Sequence, residues 1–210
     1  MNDILQAIAS RRATKHFDSN HQITDADLTA ILEATRHAPT AFNIQNYRFL
    51  VVRDAEQRRR IRAAAWDQPQ VEECSALIVM CADIKAWEKD PARYWKDAPE
   101  SVREGYVGMI HSYYEGREQV QRDEGFRSCG LAAYALMMAA SAYGLQTCPM
   151  DGFDFDRVGE IINLPADHEI VMFVALGREA SSPRPRGELL PLDRSEEPRL
   201  NSSHDQISYA

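Results

Sequence analysis

The segment Phe126–Leu145, FRSCGLAAYALMMAASAYGL, places the tightest constraint on the fold. Its apolar residues run nearly all the way round a helix, and such a helix has to be buried on most of its faces. Its alanines and glycines let another helix come close. Arg127 and Ser128 stand at its start and no basic anchor follows it, which argues against a membrane span. The segment therefore predicts a helix shared between the core and a subunit interface, with Gly144 as its C-terminal cap. A chain of 210 residues with 44% hydrophobic content can build one full core around it. No apolar run is long enough to cross a bilayer.

The remaining elements follow from periodicity and punctuation. Asp3–Ser10 reads as a short helix with Ile4, Leu5 and Ile8 on one side. Thr24 is placed as an N-cap for a helix carrying Leu28, Ile31 and Leu32 to about His37, which Pro39 ends. Phe49–Val52 and Ser75–Asp83 read as strands separated by a helix, DAEQRRRIRAAAW, whose arginine run reads as a solvated face. Residues 84 to 100 look irregular. Residues 99 to 125 have the pattern of a glycine-interrupted helix, separate from the apolar one that follows. LQTCPM and EIVMFVALG read as two more strands flanking a helix, DFDRVGEIINL. We place one domain at residues 1–193. The polar, aperiodic stretch 194–210 reads as a non-native or disordered tail.

Charge and cysteine usage narrow the function classes. A net charge of −8 disfavours a general nucleic-acid or anionic-membrane binder. The N-terminus has an early acid and no signal-peptide layout, which points to a cytoplasmic protein. Cys74, Cys81, Cys129 and Cys148 form no C-x-x-C pair and no zinc spacing. They read as buried hydrophobes in a reducing compartment. No phosphate-loop, dinucleotide, zinc-protease or nucleophile-elbow motif is present. The histidines are scattered, and no metal site is expected.

Four stretches could carry chemistry, and each also has a plainer reading. SRRATKHF sets Arg11, Arg12, Thr14 and Lys15 within five residues, which suits a phosphate or ribityl chain. A helix C-terminus carrying cations would look the same. APTAFNIQNY concentrates Thr40, Asn43, Gln45 and Asn46 just before a strand. These neutral groups suit a flat, polar, uncharged ligand or, equally, a connecting loop. In CPMDGFD, Gly152 permits an unusual backbone angle that could turn N–H groups toward a ligand, or merely link a strand to a helix capped by Asp154. Arg178, Arg184 and Arg186 form a second basic group, stiffened by prolines, that would also suit a solvated loop.

In this order the segments resemble the nitroreductase family of FMN-dependent oxidoreductases, over about residues 1 to 193. The resemblance implies an α+β fold of three layers, α-β-α, around a central mixed, mostly antiparallel sheet. It implies a homodimer with FMN at the interface. Arg11, Arg12 and Lys15 match the basic cluster at the phosphate and flavin edge, with Ala13 where a serine is common. Pro39, Thr40, Ala41 and Asn43 match the loop that reaches across from the partner. Gln68 or Gln70 falls where a polar flavin contact is found, and Gln70 is taken as the candidate. Pro149, Met150, Asp151 and Gly152 match the turn under the isoalloxazine, and Arg184 and Arg186 match a second phosphate clamp. The glycine-interrupted 99–125 segment is the candidate substrate lid, and Tyr106, Tyr113 and Phe126 are the candidate substrate contacts.

The implied activity is hydride transfer from NAD(P)H, through FMN, to a small-molecule acceptor such as a nitroaromatic, quinone or activated alkene. No side chain need act as a nucleophile. The same resemblance accommodates a non-catalytic flavin-binding protein, and a specialised dehalogenase or small-aldehyde reductase. No nucleic-acid or membrane partner is implied.

Overall fold

Strand β2, Ala76–Asp83, is buried at every position, as expected of a strand covered on both faces. Its side chains alternate between two cores. Ala76, Ile78, Met80 and Ala82 enter one, and Leu77, Val79 and Cys81 enter the other. In the computed structural model, which describes residues 3–191, β2 lies at the centre of a four-stranded sheet. The sheet order is β1 (Tyr47–Val52), β2, β4 (His168–Gly177) and β3 (Gln146–Met150). Each neighbouring pair is antiparallel, with Phe49 opposite Met80 and Cys148 opposite Ala175. Among the described residues, the parallel component of the expected mixed sheet is a single bridge between Ala13 and Thr147. The proposed 194–210 tail lies outside the described residues.

Helices cover both faces and complete the α-β-α layering. Helices α2 (Asp25–Thr35) and α6 (Glu118–Ala142) pack on one side through Leu28, Ile31, Leu136 and Met137. Helices α3 (Ala55–Ala64), α4 (Gln70–Glu73) and α7 (Phe155–Ile162) pack on the other through Ile61, Val71, Val158 and Ile161. Phe153 stacks on Phe173 there, with ring centroids 3.8 Å apart. Three helix starts are fixed by side-chain caps. Thr24 accepts the Asp27 N–H at 3.0 Å, Asp54 that of Gln57 at 2.7 Å, and Asp154 that of Arg157 at 3.0 Å. Helix α2 stops at Thr35, two residues before the expected end.

The arginine run of α3 is not one solvated face. Arg59 and Arg60 are exposed, but Arg58 is buried and donates to the Cys74 carbonyl. Arg62 pairs with Glu72 at 3.0 Å and with Asp67 at 2.8 Å. Their partners lie elsewhere in sequence, which a charge count along one helix does not reveal.

The expected helix boundary at residues 125–126 is also corrected. Helix α5 spans Glu100–Tyr114 and stops before Gly116, which has a left-handed φ of 68°. Helix α6 then runs unbroken through Gly125 to Ala142. The two glycines serve different ends. Gly116 supplies a backbone angle that other residues resist, whereas Gly125 supplies room. A Cβ on Gly125 would sit 2.8 Å from the Cβ of Ala82 on the central strand. Gly125→Ala would gain about 1 kcal/mol of helix propensity. Overpacking against a rigid strand costs about 1–3 kcal/mol, which exceeds it. We expect a lower urea midpoint with an unchanged slope. An unchanged or raised midpoint would show that the two elements can separate freely.

At its far end α6 is capped as expected. Gly144, φ 68°, donates to Ser141 at 3.1 Å and Leu145 donates to Ala140 at 3.0 Å, the paired bonds of a Schellman cap. One face of α6, including Cys129, Ala132, Leu136 and Ala140, is buried on the sheet. Leu131 and Tyr134, on the other, are 50% and 42% exposed in the single chain. Burial on most faces is therefore not achieved by one copy alone. No helix among the described residues is long and apolar enough to cross a membrane.

Candidate functional site

Helix α1 (Asp3–Ser10) ends at the first basic cluster, and the chain then docks on β3. The Ala13–Thr147 bridge and a bond from Thr14 N–H to the Thr147 carbonyl, 3.1 Å, hold it there. Arg12 turns back and donates to the carbonyls of Ala9 (2.8 Å) and Arg11 (2.9 Å). Arg186, 175 positions later in sequence, donates to the same Arg11 carbonyl at 2.8 Å. Two basic groups at opposite ends of the sequence thus meet at the C-terminus of α1, where the helix dipole favours cations. Arg184 is exposed on the same loop.

A cavity of about 330 Å³ opens here, lined by Ser10, Arg11, Arg12, Thr14, Thr147 and Glu179, among others. Two of these lining residues keep a buried side-chain atom with no hydrogen-bond partner, Nη1 of Arg11 and Oγ1 of Thr14. Such groups cost about 1–3 kcal/mol each when left unmade. A guanidinium and a hydroxyl on residues that line one cavity fit a phosphate group. Lys15 is exposed, and its Nζ lies 3.5 Å from Cys148 Sγ. Burial raises the Cys148 thiol pKa despite the opposing pull of Lys15 and Arg11.

Cys148 leads directly into the turn. Pro149 and Met150 close β3, and Asp151 and Gly152 follow at the surface. Gln68 donates to the Gly152 carbonyl at 2.8 Å, and buried Gln70 donates to Gln68 Oε1 at 3.0 Å. Both glutamines therefore join the turn, with Gln68 in direct contact and Gln70 behind it. Trp66 was not singled out by the sequence. It is 76% exposed, with its ring against Gly152. Sequence pattern reports burial through periodicity, so an aromatic held at the surface leaves no such signal.

The Pro39–Asn43 loop stands elsewhere. It leads into β1, while the basic cluster and turn flank β3, and three strand spacings of ~4.8 Å separate these edges by roughly 14 Å. Ala41–Asn43 forms a 3-10 turn, and Phe42, Asn43 and Gln45 all have positive φ, between 43° and 55°. Thr40 Oγ1 accepts the Gln45 N–H at 3.0 Å, so this hydroxyl shapes the loop. Asn43 is exposed. Phe42 packs on Tyr113 of α5, with ring centroids 5.7 Å apart, and Tyr106 stacks on Trp95 at 3.7 Å. Phe126 lies under Arg122 and lines a different groove, with Phe155 and Leu164.

Asp83, Asp167 and His168 also cluster closely enough to suggest a metal. Their charges already have partners. Arg48 pairs with Asp83 at 2.7 Å, and Lys89 with Asp83 at 2.8 Å and Asp167 at 2.5 Å. Hydrogen bonds from Lys89, then His168, hold the Asp167 carboxyl down to about 2. This group ties β2 to the start of β4.

Comparison with known proteins fits this geometry. The sequence profile of the nitroreductase family matches residues 8–178. Protein DrgA of Synechocystis sp. is 45% identical over 203 residues, covering 91% of this chain and 97% of that protein. The oxygen-insensitive NADPH nitroreductase of Helicobacter pylori is 29% identical over 190 residues, covering 84% and 87%. A crystal structure from Exiguobacterium sibiricum, solved in complex with FMN, superposes with a TM-score of 0.84 at 29% identity, covering 93% of this chain and 96% of that one. The ordered motifs, the layered fold and the match across residues 8–178 lead to one assignment: this chain belongs to the nitroreductase family.

Proposed function

We propose that this protein is an FMN-dependent oxidoreductase that transfers hydride from NAD(P)H to nitroaromatics, quinones or activated alkenes, working as a homodimer in the cytoplasm. The observation that carries this reading is the cavity where Arg11, Arg12 and Thr14 meet, with two buried polar atoms lacking partners. Arg11, Arg12 and Arg186 would hold the phosphate, and Arg184 would add a second charge at the loop. Pro149–Gly152, backed by Gln68 and Gln70, would form the floor for the flavin ring. When bound, FMN supplies the hydride chemistry, and the protein supplies position and charge. Lys15 would place a cation where reduction adds negative charge.

The dimer reading rests on two features. Leu131 and Tyr134 of α6 and Leu5 and Ile8 of α1 expose apolar surface. The Pro39–Asn43 loop leads into the strand at the opposite edge of the sheet from β3, so a second copy would bring Pro39, Thr40, Ala41 and Asn43 to the basic cluster. Tyr106 and Tyr113 would come with that loop and face the acceptor. Phe126 would line the acceptor's approach from its separate groove.

Burial holds the Cys74 and Cys81 thiols at about 11 and that of Cys129 at about 12. Thiolates are thus disfavoured, and a covalent protein intermediate has no candidate nucleophile among these cysteines. Steady-state kinetics test the reading. We expect NAD(P)H oxidation with parallel double-reciprocal lines against a nitroaromatic acceptor, because both substrates would use one site in turn. Intersecting lines, or no oxidation of NAD(P)H by flavin-loaded protein, would contradict it.

A further inference from the structure

Lys15 is an exposed lysine held at both ends. Its backbone follows Thr14, which is buried and bonded to the Thr147 carbonyl at 3.1 Å, and Ala13 bridges to the same residue. At the far end of the side chain, Nζ donates to Sγ of Cys148 at 3.5 Å. No carboxylate pairs with this ammonium among the described residues. A surface lysine with no partner keeps its rotamer freedom, so the sulfur contact is what orders this one.

The sulfur is a fixed point. Cys148 is fully buried in β3, opposite Ala175, in the core that also holds Val79 and Phe173. Its S–H donates to the Pro149 carbonyl at 3.7 Å, at the head of the Pro149–Gly152 turn. A neutral thiol can accept one weak hydrogen bond and donate another, and here it links the lysine to the turn. Burial raises the thiol pKa by more than Lys15 and Arg11 lower it, which keeps the sulfur protonated. The difference matters for the cation. A carboxylate in this place would hold the ammonium and cancel its charge, whereas a neutral thiol holds it and leaves the charge intact. One of three ammonium donors is used, and two stay open.

We propose that Cys148 is a positioning residue, whose sulfur seats the Lys15 ammonium beside the Pro149–Gly152 turn so that its charge stabilises the reduced ring of a bound flavin. Cys148 acts only through Lys15. A residue that merely filled the core would need apolar volume alone, which valine supplies equally well to a strand. This inference rests on the proposed placement of the flavin ring at Pro149–Gly152.

A double-mutant cycle on the flavin midpoint potential tests it. Lys15→Met removes the cation and keeps a long apolar stem. Cys148→Ala removes the acceptor, and Cys148→Val removes it while filling the core. We expect Lys15→Met to weaken binding of reduced relative to oxidised FMN about tenfold, which lowers the two-electron midpoint by about 30 mV. Either cysteine variant should weaken it about threefold, or about 15 mV. Cys148→Ser keeps a neutral donor and acceptor and should stay nearer the wild type. The double variant Lys15→Met with Cys148→Ala should fall no further than Lys15→Met alone, because the thiol has no cation left to seat. A wild-type midpoint in either single variant, or a double variant that shows the sum of the two shifts, would overturn the proposal. A second readout needs no flavin. In protein labelled with ¹³C-lysine, the Lys15 Cε resonance, identified by its loss in Lys15→Met, should shift and sharpen in Cys148→Ala as the side chain is released. An unchanged resonance would also overturn the proposal. Failure of the flavin reading would appear instead as wild-type protein that takes up no FMN, and the lysine resonance would still judge the seat.

Discussion

Arg11→Ala combined with Arg186→Ala should leave the protein without FMN at ordinary concentrations. Arg11 lines the cavity, and its Nη1 is buried without a hydrogen-bond partner, which leaves a donor open to a ligand once the side chain turns to it. Arg186 is bonded to the Arg11 carbonyl and so stands at the same place. Charge-assisted hydrogen bonds contribute about 1.5–3 kcal/mol each. Losing two would weaken binding by roughly 10²–10⁴-fold. The fold should survive, since neither side chain belongs to either sheet-packed core. Reconstitution with FMN, followed by fluorescence titration, measures the effect. A double variant that keeps wild-type affinity would remove the phosphate from this cavity.

Leu131→Asp should separate the dimer and release flavin without unfolding the chain. Leu131 is half exposed on α6, so one copy folded alone tolerates a carboxylate there. In a dimer the same carboxylate would be buried against a second apolar face, with an effective penalty of several kcal/mol in each copy. Obligate interfaces resemble a core cut in half and leave little room for such a charge. Flavin should go with the partner, because the Pro39–Asn43 loop would no longer complete the site. Light scattering should report a monomer, circular dichroism a wild-type fold, and absorbance a loss of bound flavin. A flavin-loaded dimer would show that α6 is not the interface.

Local chemistry was legible in the sequence. Thr24 and Asp154 cap the helices they were assigned to, and Gly144 ends α6 through its own left-handed angle. The two-core alternation of β2 follows directly from its unbroken apolar run. What went unread depends on distant partners. Gly116 and Gly125 look alike in sequence, and only the approach of Ala82 separates a helix break from a packing contact. Strand β1 starts at Tyr47 rather than Phe49, and Arg48 within it is matched by Asp83 from the next strand. Arg58 is buried because a carbonyl sixteen positions away receives it.

The candidate site divides in the same way. Its residue types were visible as short polar and basic stretches, and the resemblance supplied their roles. The resemblance implied that Arg11 and Arg186 share one phosphate, but neither indicated that Arg186 would donate to the Arg11 carbonyl, or that Gln68 and Gln70 would line up behind Gly152. Trp66 escaped notice because its position depends on two left-handed residues and a glycine in another element.

The most direct test of the central claim is the visible absorbance spectrum of the purified protein, with identification of the released cofactor. The account predicts a yellow protein that releases about one FMN per chain on denaturation. A colourless protein that stays colourless after incubation with excess FMN would contradict it.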